Sequence, residues 1–211
     1  MRTKSETRRE AIMQIALEVF REVGFDAASM SQIAARVGGS KATLYNYFSS
    51  KEELLLEAML DGARNYADEI LVLLKVSGDL PTQLRRFVVS LLKVVHSAET
   101  VEILRVAISV GGTSTIGRQF YELGTKDVWN KIAELLSQEI AKGTLRADDP
   151  QMMAMHLRCL CEADLIRSLL GAAQPMTDAE TKRRADCTVD VFLKVYGADT
   201  KNPPQPKDRE G

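Results

Sequence analysis

Two short helical patterns meet at Gly38-Gly39, and the second is too short to build a core alone. The stretch 24–51 reads GFDAASMSQIAARVGGSKATLYNYFSSK. Ser29-Met30-Ser31-Gln32 has the spacing of a capping box, a hydroxyl followed three residues on by an amide that can return the hydrogen bond. Met30, Ile33, Ala34 and Val37 recur at three and four, the period of one helix face. A glycine pair suits the end of such a helix, because glycine enters left-handed backbone without a Cβ penalty. Ser40 can then cap a second helix carrying Leu44, Tyr47 and Phe48. That helix is too short to build a core, and its remaining surface is polar and aromatic. The pattern predicts a helix-turn-helix with one helix displayed outward.

The rest of the chain also reads as helix. Residues 5–23 carry an apolar stripe of Ile12, Ile15, Ala16, Val19 and Phe20, with Gly24 as the stop and Phe25 packing back. Ser50 and Glu53 form a second capping-box pattern, opening a helix through Leu54, Leu55, Ala58 and Met59 to about Leu74. Pro81 is placed to start a helix through Leu84, Phe87, Val88, Leu91, Leu92 and Val95. A shorter one holds Ile103, Ala107 and Ile108. After a flexible break at 111–115, one helix is expected from Phe120 to about Ala141, another over 151–170 and a last over 177–196. No alternating β-branched run argues for a sheet, so the expected fold class is all-α. The tail 199–211, with Pro203, Pro204 and Pro206, reads as disordered.

Charge is unevenly spread. Net charge is -1 over 211 residues, yet residues 1–51 hold eight Lys or Arg against five Asp or Glu. A basic head on an acidic remainder suits a small phosphate-facing end. Nothing approaches the roughly 20 apolar residues that span a bilayer, and Cys159, Cys161 and Cys187 do not form a disulfide framework. The expectation is a cytoplasmic protein without membrane association. His96 and His156 lie in no metal-ligand spacing, His96 preceding a loop and reading as a surface residue or the last residue of a helix. Cys159-x-Cys161 lacks a second ligand pair, and no glycine-rich phosphate loop follows a strand. We therefore expect no catalytic residues, no metal and no cofactor.

A helix enters the major groove of duplex DNA with its N-terminal residues nearest the base edges. Lys41, Ala42 and Thr43 fall in the first turn of the short helix. Lysine can donate to guanine, and the alanine and threonine methyls can meet a thymine methyl. Asn46 and Tyr47 lie one turn on, although Tyr47 could instead pack on Phe25. Tyr45 sits at the helix edge, suited to a phosphate. Lys51 sits at a helix start, where backbone N–H groups favour anions; either a facing phosphate or plain solvent accounts for it. Arg2, Lys4, Arg8 and Arg9 read as phosphate neighbours or a solvated basic terminus.

Residues 12–55 resemble the N-terminal domain of the TetR family of bacterial transcriptional regulators. The match runs through Ile12 to Phe20, Gly24-Phe25, Ser29 to Ala34, Gly38, Ser40 to Phe48 and Lys51 to Leu55. Its most specific part is Thr43-Leu44-Tyr45-x-Tyr47-Phe48-x-x-Lys51. The resemblance places Ser31, Lys41, Ala42, Thr43, Asn46 and Tyr47 at DNA-contact positions, and Tyr45 and Lys51 at phosphate-contact positions. Gly39 departs from the family pattern, which has a small apolar residue there, and a second glycine would loosen the turn.

The implied organisation is a three-helix DNA-binding head over 1–52, a larger helical effector-binding and dimerisation body over 53–198, and the tail 199–211. The implied function is a regulator that binds a palindromic operator as a homodimer and is released by a small, largely hydrophobic effector. Repression is the expected mode. Activation on the same fold is the alternative, and a helical protein-interaction module without DNA binding is a further one. Two helices lead as the dimer surface: one carrying Met153, Leu157, Cys161, Asp164 and Leu165, the other Ala185, Thr188, Val189, Phe192 and Tyr196. The same pattern fits core helices of a monomer. The implied ligand cavity is expected among Met59, Tyr66, Phe87, Leu91, Phe120, Trp129 and Leu160, with Arg105, His156, Arg158 or Glu162 as polar groups.

Overall fold

The computed structural model describes residues 4–73 and 78–198, without the side chains of 4, 63–71 and 73. The expected tail 199–211, Arg2 and the Tyr66 side chain lie outside the described residues. The described chain is helical: α1 (Lys4–Val23), α2 (Met30–Val37), α3 (Lys41–Tyr45), α4 (Lys51–Leu73), α5 (Leu80–Val95), α6 (Ala98–Gly111), α7 (Ile116–Phe120), a π-helical turn (Tyr121–Thr125), α8 (Lys126–Ala141), α9 (Pro150–Glu162), α10 (Leu165–Leu169) and α11 (Asp178–Tyr196). Its one β feature among the described residues is an isolated antiparallel bridge between Leu145 and Gly197.

Local chemistry sets the ends of these helices. The Ser29–Gln32 capping box is made both ways, with Gln32 N donating to Ser29 Oγ at 3.2 Å and Ser29 N to Gln32 Oε1 at 2.9 Å. Gly38 closes α2 at φ 71°, and Gly39 N reaches back to the Ala34 carbonyl at 3.0 Å. Ser40 caps α3 through Thr43 N at 3.0 Å. The second expected capping box is half made. Glu53 N donates to Ser50 Oγ at 3.0 Å, but the Glu53 carboxylate accepts from Ser49 N at 2.6 Å. Those Ser49 hydrogen bonds hold its pKa below the ordinary carboxylate value. Asp79 caps α5 through Thr82 N at 2.9 Å.

Three helix expectations need correction. The helix predicted over 120–141 is interrupted by the π turn. The helix predicted over 151–170 stops at Glu162, where Asp164 leaves helical backbone and accepts from Arg184 Nη2 at 2.6 Å. In α6, Ile103 and Ala107 are buried, but Ile108 points to solvent and Val101, Val106 and Val110 complete the inner face.

Two apolar clusters organise the molecule. One joins α1–α4 to Ile103, Val106, Ala107 and Val110 of α6 and to Ile116 and Phe120 of α7. The other joins α5, α8, α9 and α11 around Phe87, Trp129, Leu136, Leu157 and Phe192. Packing therefore runs past residue 52, because α6 and α7 fold back under the N-terminal helices. α7 packs closely on α6, where a Cβ on Gly117 would lie 2.8 Å from Gly111 Cα. An Arg21–Glu102 ion pair at 3.0 Å ties α6 to α1.

Candidate functional site

The helix-turn-helix is held from beneath and open above. Leu44 and Phe48 of the α3 region are buried in the apolar cluster of the N-terminal helices, while Lys41, Ala42, Tyr45 and Asn46 face solvent. Burial of one face explains the display of the other: four-residue spacing turns Leu44 and Phe48 to one side, and the remaining positions have nowhere to go but out. Thr43 is half-buried, its hydroxyl 2.8 Å from Ser40 Oγ. Tyr47 is half-buried against the head cluster. Ser31 is exposed on the first turn of α2. Lys41 has no carboxylate partner among the described residues; its ammonium lies 5.8 Å from the Tyr45 ring centroid.

The other described basic side chains of the head are engaged within the fold. Arg8 donates to the Val37 carbonyl at 3.2 Å. Arg9 pairs with Glu57 at 3.2 Å and lies over Phe48. Arg36 pairs with Glu22 at 2.8 Å. Lys51, expected to face either a phosphate or solvent, makes internal contacts here. Its Nζ donates to the carbonyls of Phe25 at 2.7 Å and Ala28 at 3.0 Å, and lies 4.3 Å from the Phe25 ring centroid. It closes the turn between α1 and α2 by donating to carbonyls of the turn itself.

A cavity of about 460 Å³ lies between α4, α5, α6, the π turn, α8 and α9. Of the residues expected in a cavity, it gathers Met59, Leu91, Phe120 and Trp129, with the polar pair Arg158 and Glu162. Phe87 lies beside it in the core, edge-on to Trp129 at 6.4 Å. Leu160 packs on the body cluster. His156 is exposed on α9 and hydrogen-bonds the Tyr196 hydroxyl through Nδ1. Arg105 reaches the Ser168 and Leu169 carbonyls, both at 2.9 Å, in a separate cavity of about 670 Å³. His96, expected at the surface or at a helix end, caps the C-terminus of α5 and is half-buried there, with Nδ1 3.1 Å from Ser168 Oγ; burial pushes its pKa down.

Leu123, Gly124 and Thr125 of the π turn line the smaller cavity and were not expected to. The sequence did carry a signal for them. Nine residues at about 100° each place Phe120 and Trp129 on opposite sides of an unbroken α-helix. The extra residue of a π turn removes about 100° and returns both to one side.

The residues expected to pair two copies mostly point inward. Met153, Leu157, Cys161, Ala185, Thr188, Val189, Phe192 and Tyr196 are buried within the single chain. Asp164 is tied to Arg184, and Leu165 borders the cavity. The neighbouring faces of the same helices are exposed and apolar: Met152 and Met155 on α9, Val191 and Val195 on α11. Cys159 is exposed while burial pushes the Cys161 thiol up to about 12, so the two thiols share no face. Among the described residues no group of three His, Cys, Asp or Glu could hold a metal, and no helix is long and apolar enough to cross a membrane.

Two family models match the chain. Residues 12–58 match bacterial regulatory proteins of the tetR family, and residues 82–198 match the C-terminal domain of AefR-like transcriptional repressors. The HTH-type transcriptional activator FasR of Mycolicibacterium smegmatis is 37% identical over 84 residues, 40% of this chain and 38% of that protein. The DNA-binding transcriptional repressor TetR of Mycobacteroides abscessus is 36% identical over 70 residues, 33% of this chain and 37% of that protein. The chain thus matches less than two fifths of the length of either curated relative. Solved structures align more fully. A TetR-family regulator from Mesorhizobium loti superposes with a TM-score of 0.82 at 28% identity, covering 93% of this chain and 100% of that one. The flavonoid-responsive regulator FrrA superposes at 0.76 and 28% identity, covering 90% and 97%. With its displayed helix, its all-helical body and a family model over more than half its length, the chain belongs to the TetR family of bacterial transcriptional regulators.

Proposed function

We infer that this protein is a repressor that binds a palindromic operator as a homodimer and leaves it when a small, largely hydrophobic effector fills the 460 Å³ cavity. The observation that carries this reading is the outward display of α3 above a sealed apolar face, with Lys41 free of any carboxylate among the described residues. Lys41, Ala42, Thr43, Asn46 and Tyr47 are the proposed base-reading group, with Ser31 beside them. Tyr45 contacts phosphate, and Lys51 supports the site by closing the turn beneath it. The division into a DNA-binding head over 1–52 and an effector-binding, dimerising body over 53–198 describes these roles.

One reading helix spans too few base pairs for a unique site, so a two-fold pair is needed, with half-sites about 34 Å apart or more. The exposed apolar strips of α9 and α11 suit that pairing. Met59, Leu91, Phe120 and Trp129 are the proposed effector walls. An aromatic effector fits them, and the similar FrrA is described as flavonoid-responsive. Repression is favoured by the AefR-like repressor match over residues 82–198. Activation is the second reading, favoured by the likeness to FasR.

Selection of genomic fragments by the purified protein tests the proposal. An inverted repeat is expected, and Lys41→Ala with Thr43→Ala should erase its preference over random duplex while the dimer persists. Binding without sequence preference by the unaltered protein would refute the reading. A promoter reporter carrying the repeat separates repression from activation.

A further inference from the structure

Hydrophobic walls explain why an apolar molecule would enter the smaller cavity, but not why the cavity has an ion pair at one end. Arg158 and Glu162 stand one turn apart on α9, and both line it. Arg158 Nε donates to both Glu162 carboxylate oxygens at 3.0 Å. The guanidinium lies 5.7 Å from the Tyr121 ring centroid, at the start of the π turn. Its two Nη groups carry four more N–H donors, and they have no acceptor among the described residues. The side chains of Arg158 and Glu162 are only 26% and 23% exposed. These donors keep some solvent access, so a ligand that brings an acceptor exchanges water for a directed, charge-assisted hydrogen bond at the edge of an apolar cavity.

Charge narrows the class further. Glu162 already neutralises Arg158, so this end of the cavity offers directed donors without net positive charge. A carboxylate ligand would have to displace Glu162 or sit beside it, and like charges in a sheltered site repel strongly. The other charged lining residues, Asp127 and Lys131, form their own pair at 2.7 Å and add no net charge. The apolar walls meanwhile include Trp129 and Phe120. Resting on the effector-site reading of this cavity, we propose that it selects an uncharged aromatic molecule bearing a carbonyl or phenolic oxygen. Arg158 Nη donates to that oxygen, and Glu162 excludes carboxylates.

Three probes of matched shape test this: 4-hydroxybenzophenone, 4-benzoylbenzoate and diphenylmethane, titrated into the full-length protein. Calorimetry gives affinities, and quenching of Trp129, the only tryptophan in the chain, reports occupancy at the site. The neutral ketone should bind about tenfold or more tighter than the anion or the hydrocarbon. Glu162→Gln should improve the anion about tenfold while changing the ketone by less than about threefold. Arg158→Met should remove the preference of ketone over hydrocarbon. Equal affinities, no binding of the ketone, or an anion-to-ketone ratio unchanged by Glu162→Gln would overturn the proposal. The ranking in the unaltered protein decides the matter even if a variant does not fold. Each probe is then added to the complex with the selected operator fragment. Ketone binding with the expected ranking but no DNA release would sustain the cavity chemistry and sink the regulatory reading. Release by ketone and anion alike would do the reverse.

Discussion

Lys51 and Gly39 show how little a residue's place in a motif says about its work. Lys51 lies at the start of α4, where a facing phosphate is the natural expectation, yet its ammonium is spent on the Phe25 and Ala28 carbonyls. Lys51→Ala should therefore cost about 1–2 kcal/mol of stability, read as a lower urea midpoint by circular dichroism. It should weaken binding to every DNA sequence through a loosened α1–α2 turn. An unchanged midpoint with a salt slope reduced by about one would instead make it a phosphate ligand. Gly39 was expected to loosen the turn, but its φ is not positive, and a Cβ there would meet the tip of Arg8 at 3.4 Å and the Thr43 side chain at an ordinary 3.9 Å. Gly39→Ala should stabilise by about 0.4–1 kcal/mol through the unfolded chain. Gly38→Ala, at φ 71°, should cost about 1 kcal/mol. Thermal melts of the two variants moving in the same direction would contradict this account.

At the scale of elements, the segment from α6 to α8 carries the consequences. Gly117 packs against the backbone of Gly111 and Ala107, with a built Cβ 2.8 Å from one and 3.2 Å from the other. Backbone atoms cannot swing aside as a side-chain tip can. Gly117→Ala should cost about 1–3 kcal/mol. Because Phe120 of the same helix lines the cavity, ligand affinity should fall with stability in calorimetric titration. An alanine variant with both unchanged would mean that the close approach is not maintained in solution. The π turn was readable in principle, since Phe120 and Trp129 are out of phase for an α-helix and both are buried. The break after Glu162 was not, because it depends on Arg184 reaching Asp164 from α11.

At the scale of the whole molecule, the inward turn of Phe192 and the outward turn of Val191 decide how a dimer can form. Phe192 is 1% exposed and Val191 43%. Val191→Glu should leave helicity and melting nearly intact while sedimentation shifts to the monomer. Phe192→Glu should unfold the body, since an unpaired charge in a packed core costs several kcal/mol. A monomeric, fully folded Phe192→Glu protein would return the interface to the face first expected. The two apolar clusters also meet at the cavity, which Met59, Ile103 and Phe120 wall from one and Leu91 and Trp129 from the other, so occupation of the cavity and the position of the head share walls.

Periodicity and caps are local, and they were legible in residues such as Ser29, Gln32, Gly38 and Ser40, whose partners lie within a few positions. So was the displayed helix, because Leu44 and Phe48 leave its other face no core to enter. Which of two apolar stripes on α9 and α11 faces inward was settled by tertiary packing, since burial depends on what other helices cover. The same holds for the partners of Lys51 and Asp164, more than 20 residues away or on another helix. A sequence encodes such long-range contacts only through the complete fold.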